Sequence, residues 1–135
     1  MSEIEVRLAS NEDGDDVHRL VLAGGEEISG LDWHDIYPHW LVAEIEGKIV
    51  GCIQVCLGKP IGFLDGLLLE QGLDHQINAR LIKALTHQGF LVLEKYGAQV
   101  AVCLVPFENK AFKRILKKRG GTIMKSGNMI GRRLK

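Results

Sequence analysis

Residues 40–55 read WLVAEIEGKIVGCIQV, and this stretch decides the fold of the 135-residue chain. Two runs of strand-forming residues, 40–45 and 48–55, are separated only by Glu46 and Gly47. A two-residue connection that contains glycine is a strong hairpin signal, because glycine adopts the positive φ that tight turns require. The stretch therefore predicts two adjacent antiparallel strands.

The sequence on either side of this hairpin predicts further strands that alternate with helices. Upstream, residues 4–8 alternate apolar and polar side chains as a half-buried strand does. Ser10 then offers an N-cap to a helix with an acidic first turn, which ends at Gly24. The other predicted elements are a loop with one short helical turn over 26–39, an apolar strand over 61–69, a strand over 99–105, a basic helix from Asn109 to Arg119, and a closing strand or hairpin over 122–134.

The longest helical pattern covers residues 77–96 and ends at Gly97. Its side chains recur at steps of three or four, which is the period of a helix with one buried face. The predicted buried stripe consists of Ile77, Leu81, Leu85, Gln88, Val92 and Tyr96.

The resulting order is β-α-loop-β-β-β-α-β-α-β. A meander followed by strand–helix–strand crossovers implies a mixed sheet with helices on both faces. The length suits one domain over residues 1–135, and no linker or repeat interrupts it. The predicted fold class is α/β (α+β), with a mostly antiparallel sheet of six to seven strands.

Composition narrows the class of protein. The hydrophobic fraction of 46% and charged fraction of 25% are those of an ordinary globular domain. No apolar run approaches the roughly 20 residues of a membrane helix, and the N-terminus does not resemble a signal peptide. The three cysteines lie in apolar runs without metal-binding spacing. We therefore expect reduced thiols, no metal site, no membrane partner and a cytoplasmic location.

The charges are segregated along the chain although the net charge is zero. Residues 1–46 carry twelve Asp and Glu against Arg7 and Arg19, whereas residues 110–135 carry ten Lys and Arg and no acid. This asymmetry indicates either a patch for an anionic ligand or two solvated faces that attract each other. A nucleic-acid partner is not expected, because no aromatic residues interleave the basic ones.

Two stretches, together with the element order, resemble the GNAT N-acetyltransferase superfamily. Residues 40–51 resemble the family's second and third strands, which often read VAE-x-(D/N/E)-G-K-x-V-G. Asn109 and Gly120 have the spacing of the late signature Asn-x-x-Ala-x-x-x-Tyr-x-x-x-Gly, with Phe112 at the Ala place and Leu116 at the Tyr place. The resemblance implies a single GNAT-like domain that transfers an acetyl group from acetyl-CoA to an amine of a small molecule or protein.

The resemblance also implies where acyl-CoA binds. The sheet is expected to splay between its fourth and fifth strands, with the pyrophosphate on the following loop and helix N-terminus, where free N–H groups favour an anion. The family loop reads (Arg/Gln)-x-x-Gly-x-(Gly/Ala), but here it reads LDHQIN over 73–78, with Asp74 adding a carboxylate. The implied cofactor-binding residues are Leu67, Leu68, Leu69, His75, Gln76, Ile77, Asn78, Ala79 and Asn109.

The same resemblance assigns catalytic and acceptor positions. Asp65 on the fourth strand is the implied general base, with Glu70 as a second candidate, and the alternative for Asp65 is a bond to the next backbone amide. His34, Tyr37 and His39 are the implied acceptor-binding residues, and the alternative is packing over the end of the sheet.

Two further expectations follow from the resemblance. The altered loop leaves open a second function, a non-catalytic GNAT-fold binding or assembly module, as in some bacteriophage proteins, that has lost acyl-CoA binding. The resemblance also allows a homodimer through an edge strand.

Overall fold

The computed structural model describes residues 3–24, 33–104, 110–118, 122–124 and 129–134. Seven strands form one mixed sheet in the order β1-β2-β3-β4-β5-β7-β6, in which β4 and β5 are parallel and the other neighbours antiparallel. The predicted fold class is confirmed. The strands are β1 (Ile4–Leu8), β2 (Trp40–Ile45), β3 (Lys48–Cys56), β4 (Ile61–Leu69), β5 (Val100–Leu104), β6 (Thr122–Met124) and β7 (Met129–Arg133).

Four α-helices are described, and two of them adjoin a 3-10 turn. The short helical turn expected within 26–39 is present, as an α-turn followed by a 3-10 turn. Asn109, which was predicted to cap the last helix, lies outside the described residues. The helices are α1 (Gly14–Ala23, after the 3-10 turn Asn11–Asp13), α2 (Trp33–Ile36, before the 3-10 turn Tyr37–His39), α3 (His75–Lys95) and α4 (Lys110–Lys118).

The hairpin predicted between β2 and β3 is confirmed. Ile45 pairs with Lys48, and both connecting residues have positive φ, 51° at Glu46 and 79° at Gly47. Two consecutive positive φ values define the turn whose twist matches that of the flanking strands. This turn sets the register in which β2 and β3 present their side chains.

Helices cover both faces of the sheet, and β2 accordingly has apolar side chains on both of its sides. Leu41 and Ala43 belong to one buried cluster with α3 and α4, whereas Trp40 and Val42 belong to another with α1. Successive side chains of a strand point to opposite faces, so an unbroken apolar run is buried on both. The sheet therefore has an α1 face and an α3/α4 face.

The predicted buried stripe of α3 is wrong in its C-terminal half. Gln88 and Val92 are only half-buried and Tyr96 is 51% exposed, whereas Gly89, Phe90 and Leu93 are buried. A search for apolar side chains passes over a glycine, but Gly89 faces the sheet so closely that a Cβ there would lie 2.7 Å from Leu64 Cδ2. The close approach at Gly89 therefore sets which face of α3 is buried.

Asp13 ties the start of α1 to the edge of the sheet. Its carboxylate accepts a hydrogen bond from Arg7 Nη1 at 2.7 Å and another from the Ser10 backbone N–H at 2.7 Å. The bond from Arg7, followed by those from Ser10, lowers the pKa of Asp13 below its ordinary value of 3.8, although burial acts in the opposite direction. The ionised form of this carboxylate is therefore the one that stabilises the fold.

We expect Asp13→Asn to lower the free energy of unfolding at neutral pH by about 1–3 kcal/mol, since the Arg7 guanidinium and the Ser10 N–H lose a charged acceptor. A depressed folded-state pKa contributes stability above pH 3.8 that is lost as the pH falls through the folded pKa. The difference between variant and wild type should therefore shrink below that pH. Urea unfolding at pH 7, 5 and 3 measures it, with exposed Asp15→Asn as control, and a pH-independent difference would contradict the role of the charge.

Candidate functional site

The sheet opens between β4 and β5. Their parallel register ends at Leu64 and Cys103, and among the described residues the remainder of β4 pairs with β3 alone. The cause is a bulge in β4: Cys52 pairs with Leu68 and Gln54 with Asp65, so two residues of β4 stand opposite one of β3. A bulge bends its strand, and this one leaves the far half of β4 as an open edge.

The open edge contains three of the predicted cofactor-binding residues. Leu67, Leu68 and Leu69 end β4, with Leu67 buried in the core and the other two half-buried. Gly66 precedes them at a φ of 64°, a conformation that glycine adopts without strain. The structure thus brings these residues to the expected gap, where no described strand pairs with them on the side that faces away from β3.

Asp65 lies at the start of this open edge. Its Oδ1 accepts a hydrogen bond from the Gly66 N–H at 2.7 Å, which satisfies an amide of the bulge. The interpretation of Asp65 as the partner of the next backbone amide is therefore confirmed. Its Oδ2 has no hydrogen-bond partner among the residues that the structure describes. The half-buried carboxylate thus combines a structural contact with one oxygen that remains available to a substrate proton.

Cys56 lies near Asp65 on the same face of the sheet. Burial, and then the charge of Asp65, raises the pKa of the Cys56 thiol. A thiol with a raised pKa stays protonated at neutral pH and is a poor nucleophile. Cys56 therefore has a packing role beside Asp65 and is not a reactive group.

Glu70, the second predicted base, is engaged elsewhere. Arg19 donates to the Glu70 carboxylate and, at 3.2 Å, to the Ile49 carbonyl, so this pair fastens α1 to the ends of β3 and β4. The arrangement gives Glu70 a tethering role.

We expect Glu70→Gln to change turnover by less than about threefold, because the side chain acts at the tether and not on a reacting proton. Its cost in stability should stay at or below about 1 kcal/mol, since the ion pair is partly exposed. Thermal unfolding and amine acylation rates measure the two effects. A loss of turnover without a loss of stability would make Glu70 a candidate base again.

An aromatic cluster covers the α1 face next to Asp65. The ring centroid of Trp33 lies 6.1 Å from that of Tyr37 and 6.4 Å from that of Trp40. Trp33 donates from Nε1 to the Asn11 carbonyl at 3.1 Å, so its ring packs over the start of α1. Tyr37 is half-buried at the edge of the cluster, where both of its predicted roles, packing and acceptor contact, are compatible with its position.

Of the two predicted histidines, the structure describes the side chain of His39. His39 is exposed at the end of its 3-10 turn. His34 lies in α2, and its side chain is outside the described part of the structure. Of Tyr37 and His39, the two predicted acceptor residues with described side chains, Tyr37 lies in the cluster.

Three polar groups form a row across the sheet that sequence reasoning missed. The register pairs Trp40 with Gln54 and Gln54 with Asp65, so their side chains share the α1 face. Trp40 is only 5% exposed, and its buried Nε1–H has no acceptor among the described residues. A buried unpaired donor costs about 1–3 kcal/mol, which makes this row a candidate for contact with a polar ligand.

The N-terminus of α3 is occupied by its own cap. Asp74 Oδ1 accepts the Ile77 N–H at 2.9 Å, and the Asp74 carbonyl accepts the Asn78 N–H at 3.0 Å. The second bond is the first backbone bond of the helix itself, so the cap pairs one of the four N–H groups that a helix leaves free at this end, that of Ile77. His75 and Gln76 are exposed here, Ile77 and Ala79 are half-buried, and the buried Asn78 Oδ1 has no donor among the described residues.

Acyl-CoA fits this chain only in part. Along the open edge of β4, no described strand pairs with the backbone on the side away from β3, which suits an extended pantetheine arm. The α3 N-terminus does not fit a pyrophosphate, because Asp74 takes one of its amides and adds a negative charge where the phosphates would lie. The two halves of the predicted cofactor site therefore differ in their fit.

The basic helix α4 packs beside α3. Phe112, Ile115 and Leu116 form its inner face, and Leu116, at the place of the family tyrosine, is buried. An apolar side chain there supplies no proton to a leaving thiolate.

Metal sites and membrane spans are both missing from the described residues. In that part of the chain, no group of His, Cys, Asp and Glu side chains has an arrangement that could hold a metal ion. No helix there combines the length and apolar character needed to cross a bilayer.

No family model and no curated relative match the sequence. Several solved structures, in contrast, match the structure of this chain. N-acetylglutamate synthase from Neisseria gonorrhoeae, in complex with coenzyme A and L-arginine, gives a TM-score of 0.75 at 12% identity over 98% of this chain, which spans 34% of that one. A GNAT-family acetyltransferase from Staphylococcus aureus Mu50 gives 0.79 at 13% identity, over 98% of this chain and 100% of that one. The PaiA N-acetyltransferase from Thermoplasma acidophilum, in complex with coenzyme A, gives a TM-score of 0.74 at 17% identity, over 97% of this chain and 99% of that one.

At sequence identities of 12–17%, the similarity to these proteins is one of fold. The shared fold extends over 97–98% of this chain in all three. The chain has the fold of the GNAT-type N-acetyltransferases.

Proposed function

We propose that the chain is a GNAT-like N-acyltransferase that moves an acyl group from a pantetheine thioester to an amine, with acetyl-CoA as the expected donor. The observation that supports this proposal is the open edge of β4 with Asp65 at its start. An extended arm can add to this edge as a strand adds to a sheet, through backbone hydrogen bonds. Such an arm would lie along Leu67, Leu68 and Leu69.

Asp65 is the residue that the proposal assigns to proton removal. The thioester supplies an electrophilic carbonyl, at which the amine forms a C–N bond as the C–S bond breaks. Before the attack, Asp65 Oδ2 accepts a proton from the acceptor ammonium, directly or through a water, which leaves a neutral amine as the nucleophile, while Oδ1 stays bonded to Gly66. The buried Leu116 leaves the departing thiolate to take its proton from solvent.

The acceptor is proposed to be a cationic amine of a small molecule or a protein. The acceptor would bind on the α1 face, which the acidic first third of the chain covers. Negative charge there favours a cation. The rings of Trp33 and Tyr37 offer faces to an ammonium group, and His34 and His39 remain candidate contacts. A cytoplasmic location and a homodimer stay proposals of the same kind.

One observation favours the second candidate, a binding or assembly module without catalysis. The Asp74 cap occupies one of the amides on which a pyrophosphate would depend and adds a negative charge beside the others. If no pantetheine thioester binds, the fold serves only as a scaffold, and the open edge of β4 becomes an attachment site for a peptide strand.

Amine-dependent thiol release separates the two candidates. The protein is incubated with millimolar acetyl-CoA or acetyl-pantetheine and with a panel of amines, and free thiol is measured beside the acylated amine by mass spectrometry. The proposal expects stoichiometric thiol and acyl-amine for at least one donor. No release above the uncatalysed rate with either donor would leave the binding module as the function.

A further inference from the structure

The outward face of α4 is a dense basic surface. Its inner face is fixed in the core by Phe112, Ile115 and Leu116. Among the described residues, no salt bridge involves Lys110, Arg114, Lys117 or Lys118, and the helix contains no acid. The cations that line this surface are Lys110, Lys113, Arg114, Lys117 and Lys118.

This basic surface lies at the open end of the sheet. The strands β4 and β5 are parallel, and each is followed by a helix that returns over the same face, α3 and α4. The helix α4 begins six residues after Leu104, the last residue of β5, and β5 separates from β4 just beyond Cys103. The first turn of α4 is therefore close in the chain to the mouth of the β4–β5 opening.

The basic surface of α4 carries more cations, over a longer distance, than the binding of one phosphate group requires. Nine helical residues span roughly 13 Å at 1.5 Å per residue. Five cations over that length match the acidic face of a partner helix better than a single anion. At α3, in contrast, Asp74 makes the usual pyrophosphate position unfavourable. The positive charge that would attract an anionic donor therefore lies on α4 and not at the N-terminus of α3.

We propose that the acyl donor is a carrier protein, which docks an acidic helix on the basic surface of α4 and extends its phosphopantetheine arm along the open edge of β4. This inference rests on the proposed acyl transfer and specifies its donor. The amine forms a C–N bond to the acyl carbon and loses one N–H proton, the C–S bond breaks, and the arm leaves as a free thiol after gaining one proton. Such a donor needs no pyrophosphate site, because its arm carries a single phosphodiester.

The surface suits an acidic protein better than a nucleic acid. Binding of single strands usually combines positive charge with exposed aromatic rings on which bases stack. The one aromatic residue of α4, Phe112, is buried. The open edge of β4, residues 65–69, moreover, contains no aromatic residue on which a base could stack.

Binding assays test the donor without requiring turnover. An acidic acyl carrier protein is titrated in its apo form, which lacks the arm, and in its acetylated holo form, alongside acetyl-CoA. We expect the holo form to bind at least about tenfold more tightly than the apo form or acetyl-CoA at low salt. The double variant Arg114→Glu/Lys117→Glu should weaken holo binding by at least about tenfold. The matched charge reversal Lys48→Glu/Lys83→Glu, at exposed positions away from α4, should change it by less than about twofold.

Each other outcome has a distinct meaning. Acetyl-CoA that binds as tightly as the holo carrier overturns the carrier inference but leaves acyl transfer in place. No binding of either donor overturns both proposals. Equal loss in both double variants overturns α4 as the docking surface. A single-stranded RNA that binds more tightly than the holo carrier, and loses binding with Arg114→Glu/Lys117→Glu, replaces the carrier with a nucleic acid.

Discussion

Asp65→Asn should reduce turnover by roughly 10²–10⁴-fold, the usual contribution of a general base, while leaving the fold and donor binding unchanged. An asparagine can still accept the Gly66 N–H through its Oδ1, so the bulge of β4 keeps its contact. The amide cannot accept the proton that the acceptor ammonium must lose before the neutral amine attacks. The variant thus separates the chemical role of Asp65 from its structural role, which Asp65→Ala would not do.

Rates at saturating thioester across pH 6–10 give the measurement. Loss of the base should make the rate of Asp65→Asn rise with pH, as the fraction of free amine increases. Gln54→Leu, at the neighbouring position of the same row, serves as control, since it perturbs the acceptor site without removing a base. Turnover that survives Asp65→Asn within a few fold would remove Asp65 from the chemistry and assign it to the bulge alone.

Asp74→Asn should tighten binding of coenzyme A by about ten- to a hundredfold. Asparagine is as good an N-cap as aspartate, so α3 keeps its start and the fold its stability. The substitution removes one negative charge at the helix N-terminus. At about 5 Å and an effective dielectric constant near 20, repulsion between that charge and one phosphate charge amounts to about 3 kcal/mol before screening by salt.

Calorimetric titration of coenzyme A into both proteins measures the change. Asp74→Gly provides a second arm, because it removes the charge and also frees the Ile77 N–H, at a modest cost in helix stability. Exposed Asp15→Asn removes the same charge from α1 and should leave the affinity unchanged. An unchanged affinity in both Asp74 variants would mean that the nucleotide does not approach α3, in agreement with a donor held on α4.

Local patterns predicted the elements of the fold and several of its contacts. The hairpin at Glu46 and Gly47 follows from two residues and their flanking runs, so sequence reasoning found it directly. The boundaries of α3 follow from its period and from Gly97 in the same way. The buried face of α3 did not follow, because it depends on the fit between Gly89 and Leu64, which are far apart in sequence.

The site was less predictable than the fold, since it depends on register. Asp65 could be named from its place on a strand, but its neighbours Trp40 and Gln54 become visible only when three strands are aligned. The bulge that opens β4 leaves no local signal except Gly66, and a glycine within a strand is equally compatible with a bend or with the close approach of another backbone. Asp74 was recognised as a charge near the phosphates, and the structure adds that it caps the helix.

The aromatic cluster has an optical consequence. Trp33 and Trp40 are the two tryptophans of the chain, and their ring centroids are 6.4 Å apart on the proposed acceptor side. All of the indole emission of the protein therefore comes from this one place. A candidate amine that enters the site reveals itself by quenching or shifting that emission, without any label and before any reaction has been found.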